Sequence, residues 1–383
     1  MSTGSPEDVE VAVVGAGVVG SAVALALARR GVLVAVLEAE PEPALAASAT
    51  NSGILHTGFD SKPGELETEL ILRSAALRAQ LLQALEVPVL QCGALVRART
   101  LAERDSVAAL AENANRNGVP AVIDKNGALS IPGEAVTDPV AYCFALVGAA
   151  QRQGAVLLTM WRVAGIEHAA SEVTLQSSGG ERLSARLLVN CAGLGADAVA
   201  RLAGDESFAI YPRKGEFLVF EPPGRPPEHI LLPIPSKGTK GVLVFPTIDG
   251  MVVAGPTALD QTDKDDWTVR PEARAEILPK ASAMFPPIAD AEPVFAYAGL
   301  RPAGRGINYL IARSKACERL INVAAIRSTG LSASLGIAER VGKVIAAMGI
   351  GLEPERELKP GPSRTPAGRW WQRAAEHHMR TAA

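Results

Sequence analysis

The chain has 383 residues, with 38 Lys and Arg against 41 Asp and Glu, a formal net charge of −3 and 48% hydrophobic residues. That length supports a sizeable core, the composition excludes a low-complexity chain, and the near-neutral balance argues against a nucleic-acid binder. Cys92, Cys143, Cys191 and Cys317 are widely spaced with no C-x-x-C pair, which excludes a Cys-rich zinc or iron–sulfur module, leaves no metal site expected and suits a reducing compartment.

The first nine residues are polar and acidic with no basic stretch, so no secretory signal is visible and a cytoplasmic location is expected. Residues 11–28 carry no charge, but Gly15, Gly17 and Gly20 interrupt the run early and argue against a membrane span. VAVV from Val11 reads as a short buried strand, GAGVVG as a turn, and SAVALALARRG as a helix stopped by Gly31. VLVAVLE is a second buried strand ending at Glu38, which completes a βαβ unit of the usual length. Helices are expected over 65–85 and 139–152, and strands over 155–159 and 163–167. LLVNCAG, 187–193, is another buried strand running into glycine. Between 211 and 260 the short runs GEFLVF, GVLVFP and GMVVAG alternate with Gly and Pro turns, an antiparallel pattern. LINVAAI is a strand, 332–348 a helix, and the Pro- and charge-rich tail from Leu352 ends in GRWWQRAAEHHMR.

This order predicts an α/β fold. A discontinuous Rossmann-like cofactor domain, 9–85, 136–205 and 299–350, carries an inserted, mainly antiparallel sheet domain, 86–135 and 206–298, and a tail, 351–383. The low aromatic content, 4%, beside abundant Ala, Val and Leu leans the same way.

Gly15, Gly17 and Gly20 form G-x-G-x-x-G between strand and helix. The first allows a tight turn, the second close approach of a pyrophosphate to the helix N-terminus, and the third close helix–strand packing. Glu38 stands where a carboxylate accepts hydrogen bonds from a ribose, which disfavours NADP. The fingerprint alone does not separate NAD from FAD. After it comes SATNSGILHTGFDSKPGELETEL, from Ser48 to Leu70, a polar loop leading into a helix. Ser48, Thr50, Asn51 and Ser52 are able to bind phosphate or ring edges there.

That segment resembles the D-amino-acid-oxidase-like FAD-dependent oxidoreductases, in the branch of glycerol-3-phosphate oxidases and dehydrogenases; L-2-hydroxyglutarate oxidases share much of the motif. The resemblance runs roughly from residue 9 to 350 and includes LLVNCAGLGAD, PRKGEFLVF, KGVLVFPTIDG, GPTALDQTDKDD, AGLRP and IRSTGLSAS. It implies FAD, an FAD-binding domain and a substrate domain. It also implies that Ala192 and Gly193 close over the cofactor, that Val163 gives the adenine a backbone contact, and that Ser328, Thr329, Gly330 and Leu331 form the flavin loop. No cysteine cluster follows residue 350, so the acceptor is expected to be oxygen, a quinone or another soluble molecule.

Flavin oxidation of an alcohol needs a base for the hydroxyl proton, and His56 is the best candidate, because histidine titrates near working pH. The other four histidines, His168, His229, His377 and His378, fall in a strand end, a Pro-rich loop and the tail. A hydrogen-bonded histidine beside the flavin is the alternative for His56. Arg301 in AGLRP offers a planar fork to carboxylate or phosphate, with a structural salt bridge as its alternative. The resemblance implies that Lys240 faces the flavin or the anion; Lys240 and Lys237 read equally well as solvated loop charges. Of Arg213 and Lys214, neighbours on one strand, one is expected to point to solvent. Ser332 or Ser334 suits a helix N-cap, Cys191 a buried strand position, and the Trp370–Trp371 tail an amphipathic contact with a membrane surface or a protein. The expected substrate is an anionic secondary alcohol, glycerol 3-phosphate or a related polyol phosphate. An L-2-hydroxy acid is the alternative, an amine is less favoured, and a flavin-binding module without turnover is the reading from another class.

Overall fold

The computed structural model describes residues 8–381 apart from 99, 236–240, 360 and 362–364. Asp8–Val14 (β1), the helix Val18–Ala28 (α1) and Val34–Leu37 (β2) form the opening unit. All four β2 residues are buried, as befits a strand covered on both faces. β2 and β1 lie parallel in a sheet whose parallel run is Val156–Leu158, β2, β1, Arg182–Asn190 and Leu320–Ala324. Numbered along the chain this is order 3-2-1-4-5, so the connection reverses between β1 and Arg182–Asn190. The uncharged run 11–28 is thus strand, turn and helix, and no helix among the described residues is long and apolar enough to cross a membrane.

The second sheet is mainly antiparallel. Its spine pairs Ile210–Phe220 with Phe295–Gly304 in a register running from Ile210 opposite Gly304 to Val219 opposite Phe295. Alternation along the spine sends Leu218 and Phe220 to a core with the helix Ala273–Met284, and Phe217 and Val219 to the opposite face. Phe295–Gly304 crosses residue 299 without a break, where the sequence placed the return to the cofactor domain. The long pairing keeps the whole segment in the second sheet.

A three-stranded sheet lies apart from these two. Ile54–Leu55 and Val89–Leu90 each pair antiparallel with Ala135–Thr137. The helix Leu66–Ala84 (α2) packs on the late helix Gly330–Ala347, where Ser74 Oγ accepts from the Leu335 and Gly336 N–H groups.

The helices Leu101–Arg116, Ala273–Met284 and Trp370–Thr381 are additions to the elements expected from the sequence. The last corrects the reading of the tail. Trp370 and Trp371 are only 3% and 1% exposed and pack on Tyr297 and Phe295, which removes both rings as a membrane or partner contact. The same helix reaches Glu40 through His377 and Glu42 through Arg373, so it ties the loop after β2 to the second sheet.

Candidate active site

The glycine turn sits at the reversal point of the parallel sheet. Gly15 has φ +99°, and a Cβ there would lie 2.6 Å from the Cys191 carbonyl oxygen, so no side chain fits between the two strand ends. At Gly20 a Cβ would strike the Gly15 carbonyl oxygen. Ser48 Oγ accepts from the Val18 N–H at 3.0 Å and caps α1 from outside the helix. Glu38 accepts from the Ala16 N–H at 2.7 Å and the Glu40 N–H at 3.0 Å. Burial pushes its carboxyl above the ordinary range even with those donors. Trp161 N–H donates to the Glu38 backbone carbonyl at 2.8 Å, which holds the segment leading into the strand Val163–His168 against the end of β2.

The remaining polar positions converge from three directions. Asn51 Nδ2 donates to the Ser328 carbonyl at 3.5 Å, joining the loop after β2 to the loop before Gly330–Ala347. His56 N–H donates to Ser332 Oγ at 2.8 Å, and Ser332 Oγ donates to the Ile54 carbonyl at 3.3 Å. On the third side, a Cβ at Gly299 would lie 2.6 Å from the Thr50 carbonyl oxygen, so the strand bearing Arg301 backs directly onto that loop. Ser52 and the Asn51 carboxamide brace the loop internally, on the N–H groups of Ile54 and Gly53. Thr329 is buried; its hydroxyl donates to Glu67 at 2.6 Å and shares a hydrogen bond with Tyr309, which ties its loop to the start of α2. Gly193 has φ +55°, at the turn after Ala192.

Register builds the most polar part of the site. Ile54 stands opposite Val136 and Leu55 opposite Ala135, so the next position in line is His56 against Glu134. His56 Nδ1 lies 2.9 Å from Glu134 Oε2, while the Thr57 N–H and hydroxyl both donate to Glu134 Oε1, at 2.6 and 2.8 Å. Glu134 is fully buried. Burial alone pushes its carboxyl up, but His56 and the Thr57 donors outweigh it and hold the group below its ordinary range. Arg78 Nη1 donates to the His56 carbonyl at 3.0 Å and Nη2 to the Leu55 carbonyl at 3.2 Å.

Arg301 lies partly buried in the second sheet. Nε donates to the Arg213 carbonyl at 3.1 Å, and Nη2 donates to the carbonyls of Lys214 and Thr257 at 3.1 and 2.8 Å. Its guanidinium passes so close over Gly215 that a side chain there would collide with it. Burial, then the neighbouring Arg213 charge, brings its pKa down to about 10, still a cation at neutral pH. No carboxylate among the described residues forms an ion pair with it. Arg213 and Lys214 point to opposite faces as expected, but both are paired: Arg213 with Asp260 at 2.9 Å, and fully buried Lys214 with Asp266 at 2.7 Å. Lys237 and Lys240 lie outside the described residues. A groove of about 750 Å³ between α1, α2 and Gly330–Ala347 is lined by none of the site residues named above.

A family model for FAD dependent oxidoreductases matches residues 10–344. The chain belongs to that family. It is 28% identical over 368 residues to a glycerol 3-phosphate dehydrogenase of Caloramator mitchellensis, across 92% of this chain and 76% of that protein. It is also 28% identical over 291 residues to the human mitochondrial L-2-hydroxyglutarate dehydrogenase, across 67% of this chain and 62% of that protein. The fold matches a dithionite-reduced, FAD-bound L-α-glycerophosphate oxidase from Mycoplasma pneumoniae with TM-score 0.85 and 24% identity, covering 92% of this chain and 97% of that one.

The oxidoreductase has the donor set that FAD needs. Glu38 is a partly buried carboxylate that forms no ion pair among the described residues, suited to accept hydrogen bonds from ribose hydroxyls. The glycines of the turn add no side chains of their own at the start of α1, where the Ser48 hydroxyl on the Val18 N–H is a further donor suited to a pyrophosphate. Glu134, Thr57, Arg78 and Glu67 join the site from the structure alone. The signal for Glu134 in the sequence is a lone glutamate between two apolar runs, ALSIPG and AVTD, opposite ILH. Reading it requires knowing that these segments pair.

Proposed function

We propose that this FAD-dependent oxidoreductase converts an anionic secondary alcohol to a ketone, with glycerol 3-phosphate or a related polyol phosphate as substrate. The observation that carries this reading is Arg301: a guanidinium held in place by three backbone carbonyls, with no carboxylate partner among the described residues. A cation fixed by neutral acceptors keeps its full charge for an anionic ligand, and with Nε and Nη2 committed to carbonyls the two N–H groups of Nη1 are left for its oxygens. The names of the Caloramator and Mycoplasma relatives support the same substrate class. His56 serves as the base that takes the hydroxyl proton, and Arg301 orients the anion. Bound FAD would supply the acceptor for the hydride. Ser328, Thr329, Gly330 and Leu331 lead into Gly330–Ala347, whose N-terminal amides favour negative charge on a reduced ring. Oxygen, a quinone or another soluble molecule then removes the electrons.

An L-2-hydroxy acid is the second reading, favoured by the human relative and by the equal fit of a guanidinium to carboxylate. Anaerobic mixing of the holoenzyme with glycerol 3-phosphate and, separately, with L-2-hydroxyglutarate decides between them. Bleaching of the flavin by the phosphate alone is expected. Bleaching by the hydroxy acid alone overturns the first reading in favour of the second. His56→Ala is expected to slow flavin reduction about 10²-fold or more.

A further inference from the structure

We propose that Glu134 is the positioning residue of the reaction: it fixes the ring orientation and tautomer of His56, so that Nδ1 carries the proton and Nε2 is the atom that accepts the substrate's hydroxyl proton. This inference rests on the reading of His56 as base.

The geometry leaves little choice of roles. Glu134 Oε1 is claimed by both Thr57 donors, which leaves Oε2 for the imidazole 2.9 Å away. An ionised carboxylate only accepts, so the ring nitrogen facing it must be the donor. Nδ1 is therefore N–H, and a neutral ring has its lone pair at Nε2. Among the described residues Nε2 has no hydrogen-bond partner, and the side chain keeps 12% of its surface exposed. The basic nitrogen thus faces accessible space while the protonated one is locked inward.

The support around the pair is rigid. Glu134 sits in the tight link between the strands Ala128–Ile131 and Ala135–Thr137, and its own carbonyl accepts from the Gly93 N–H at 2.9 Å. At Gly133 a Cβ would press on Thr57 Cγ2 at 3.0 Å, so this glycine lets the threonine close on the carboxylate. Arg78 and Ser332 hold the backbone of His56 from two different helices. The charged and titratable groups packed here, among the described residues, are Glu134 beneath the ring, Arg78 on its carbonyl, Tyr142 beside Arg78, and the Cys92 thiol within range of the Glu134 charge.

In the step this arrangement serves, the substrate O–H bond breaks and an N–H bond forms at Nε2. Bound FAD would supply the acceptor for the C–H hydrogen and its two electrons, which balances oxidation of the alcohol to the ketone. His56 becomes imidazolium, and Glu134 keeps the pair neutral. A third group that orients the base in this way is the general logic of catalytic triads.

Glu134→Gln gives a sharp test, because Thr57 continues to demand an oxygen at the Oε1 position. The new carboxamide must then turn its NH₂ towards Nδ1, which becomes an acceptor, and the ring proton moves to Nε2. With only five histidines, the full-length holoenzyme labelled with ¹⁵N-histidine can be assigned using His56→Asn. At pH 8 the wild-type ring is expected to show Nδ1–H, and the variant Nε2–H. The variant's kcat is expected to fall about 10²- to 10⁴-fold with KM within about threefold, since Glu134 touches no substrate. Glu134→Asp, which keeps the charge, should retain Nδ1–H and recover part of kcat. A wild-type ring carrying its proton on Nε2 overturns the proposal without any variant. So does Glu134→Gln with an unchanged tautomer or near wild-type kcat. Normal flavin reduction by His56→Ala would instead remove the base assignment on which the proposal rests, whatever the tautomer.

Discussion

The cofactor turn and the substrate side of this enzyme differ in how far apart along the chain their parts lie. Ala16 and Glu38, which meet in a hydrogen bond beside the glycine turn, are 22 residues apart and belong to one βαβ unit. His56 and Glu134 are 78 residues apart, and the carbonyls that hold Arg301 lie up to 88 residues away. The turn is held by exclusion, since backbone approaches at Gly15 and Gly20 leave no room for a Cβ. The substrate side is held by polar satisfaction: nearly every donor and acceptor there has a named partner. A turn made by exclusion tolerates no added atoms. A network made by hydrogen bonds tolerates shape changes but not a lost charge or a lost acceptor.

Three outcomes sharpen or break that contrast. Gly20→Val, whose side chain meets the Gly15 carbonyl, is expected to yield protein without bound flavin, read from the ratio of visible to ultraviolet absorbance. Full flavin content in that variant would show that the turn can relax. Next in size, Arg301→Met should raise KM for glycerol 3-phosphate about 10²-fold with flavin content unchanged, as two charge-assisted hydrogen bonds are worth about 3 kcal/mol. Arg301→Lys should not restore it, because an ammonium has three donors and cannot both satisfy the three carbonyls and keep two N–H groups for the anion. An unaltered KM would move the anion site away from this strand.

The smallest effect concerns Glu38 in flavin-free protein. Its folded pKa is raised, so the folded chain binds more protons than the unfolded one between the ordinary carboxylate value and the raised one. Stability must therefore decline as pH rises through that window. Glu38→Gln should flatten the decline, seen as a smaller difference in Tm between pH 4.5 and 7. An unchanged slope would place the pH sensitivity elsewhere.

Much of the cofactor turn is legible in the chain's own order of residues. Apolar periodicity, glycine spacing and an acidic strand end all lie within residues 11–38, where local rules operate. The Ser48–Ser52 loop is legible only through resemblance, since serines and an asparagine in a loop suit many roles. The helix Trp370–Thr381 escapes such a reading because a tryptophan pair says nothing about which surface covers it. Tertiary packing puts both rings in the core of the second sheet.

The sequence by itself determined a βαβ cofactor unit, an inserted sheet, and a short roster of polar residues with His56 and Arg301 at its head. Only the tertiary structure decided which partners those residues have: a two-residue strand sets Glu134 under His56, and an antiparallel spine brings two carbonyls to Arg301 while Thr257 adds a third. The physical reason is range. Dihedral preference and hydrophobic period act over a few residues, whereas the charge and tautomer of a buried side chain are set by groups brought to about 3 Å from distant parts of the chain.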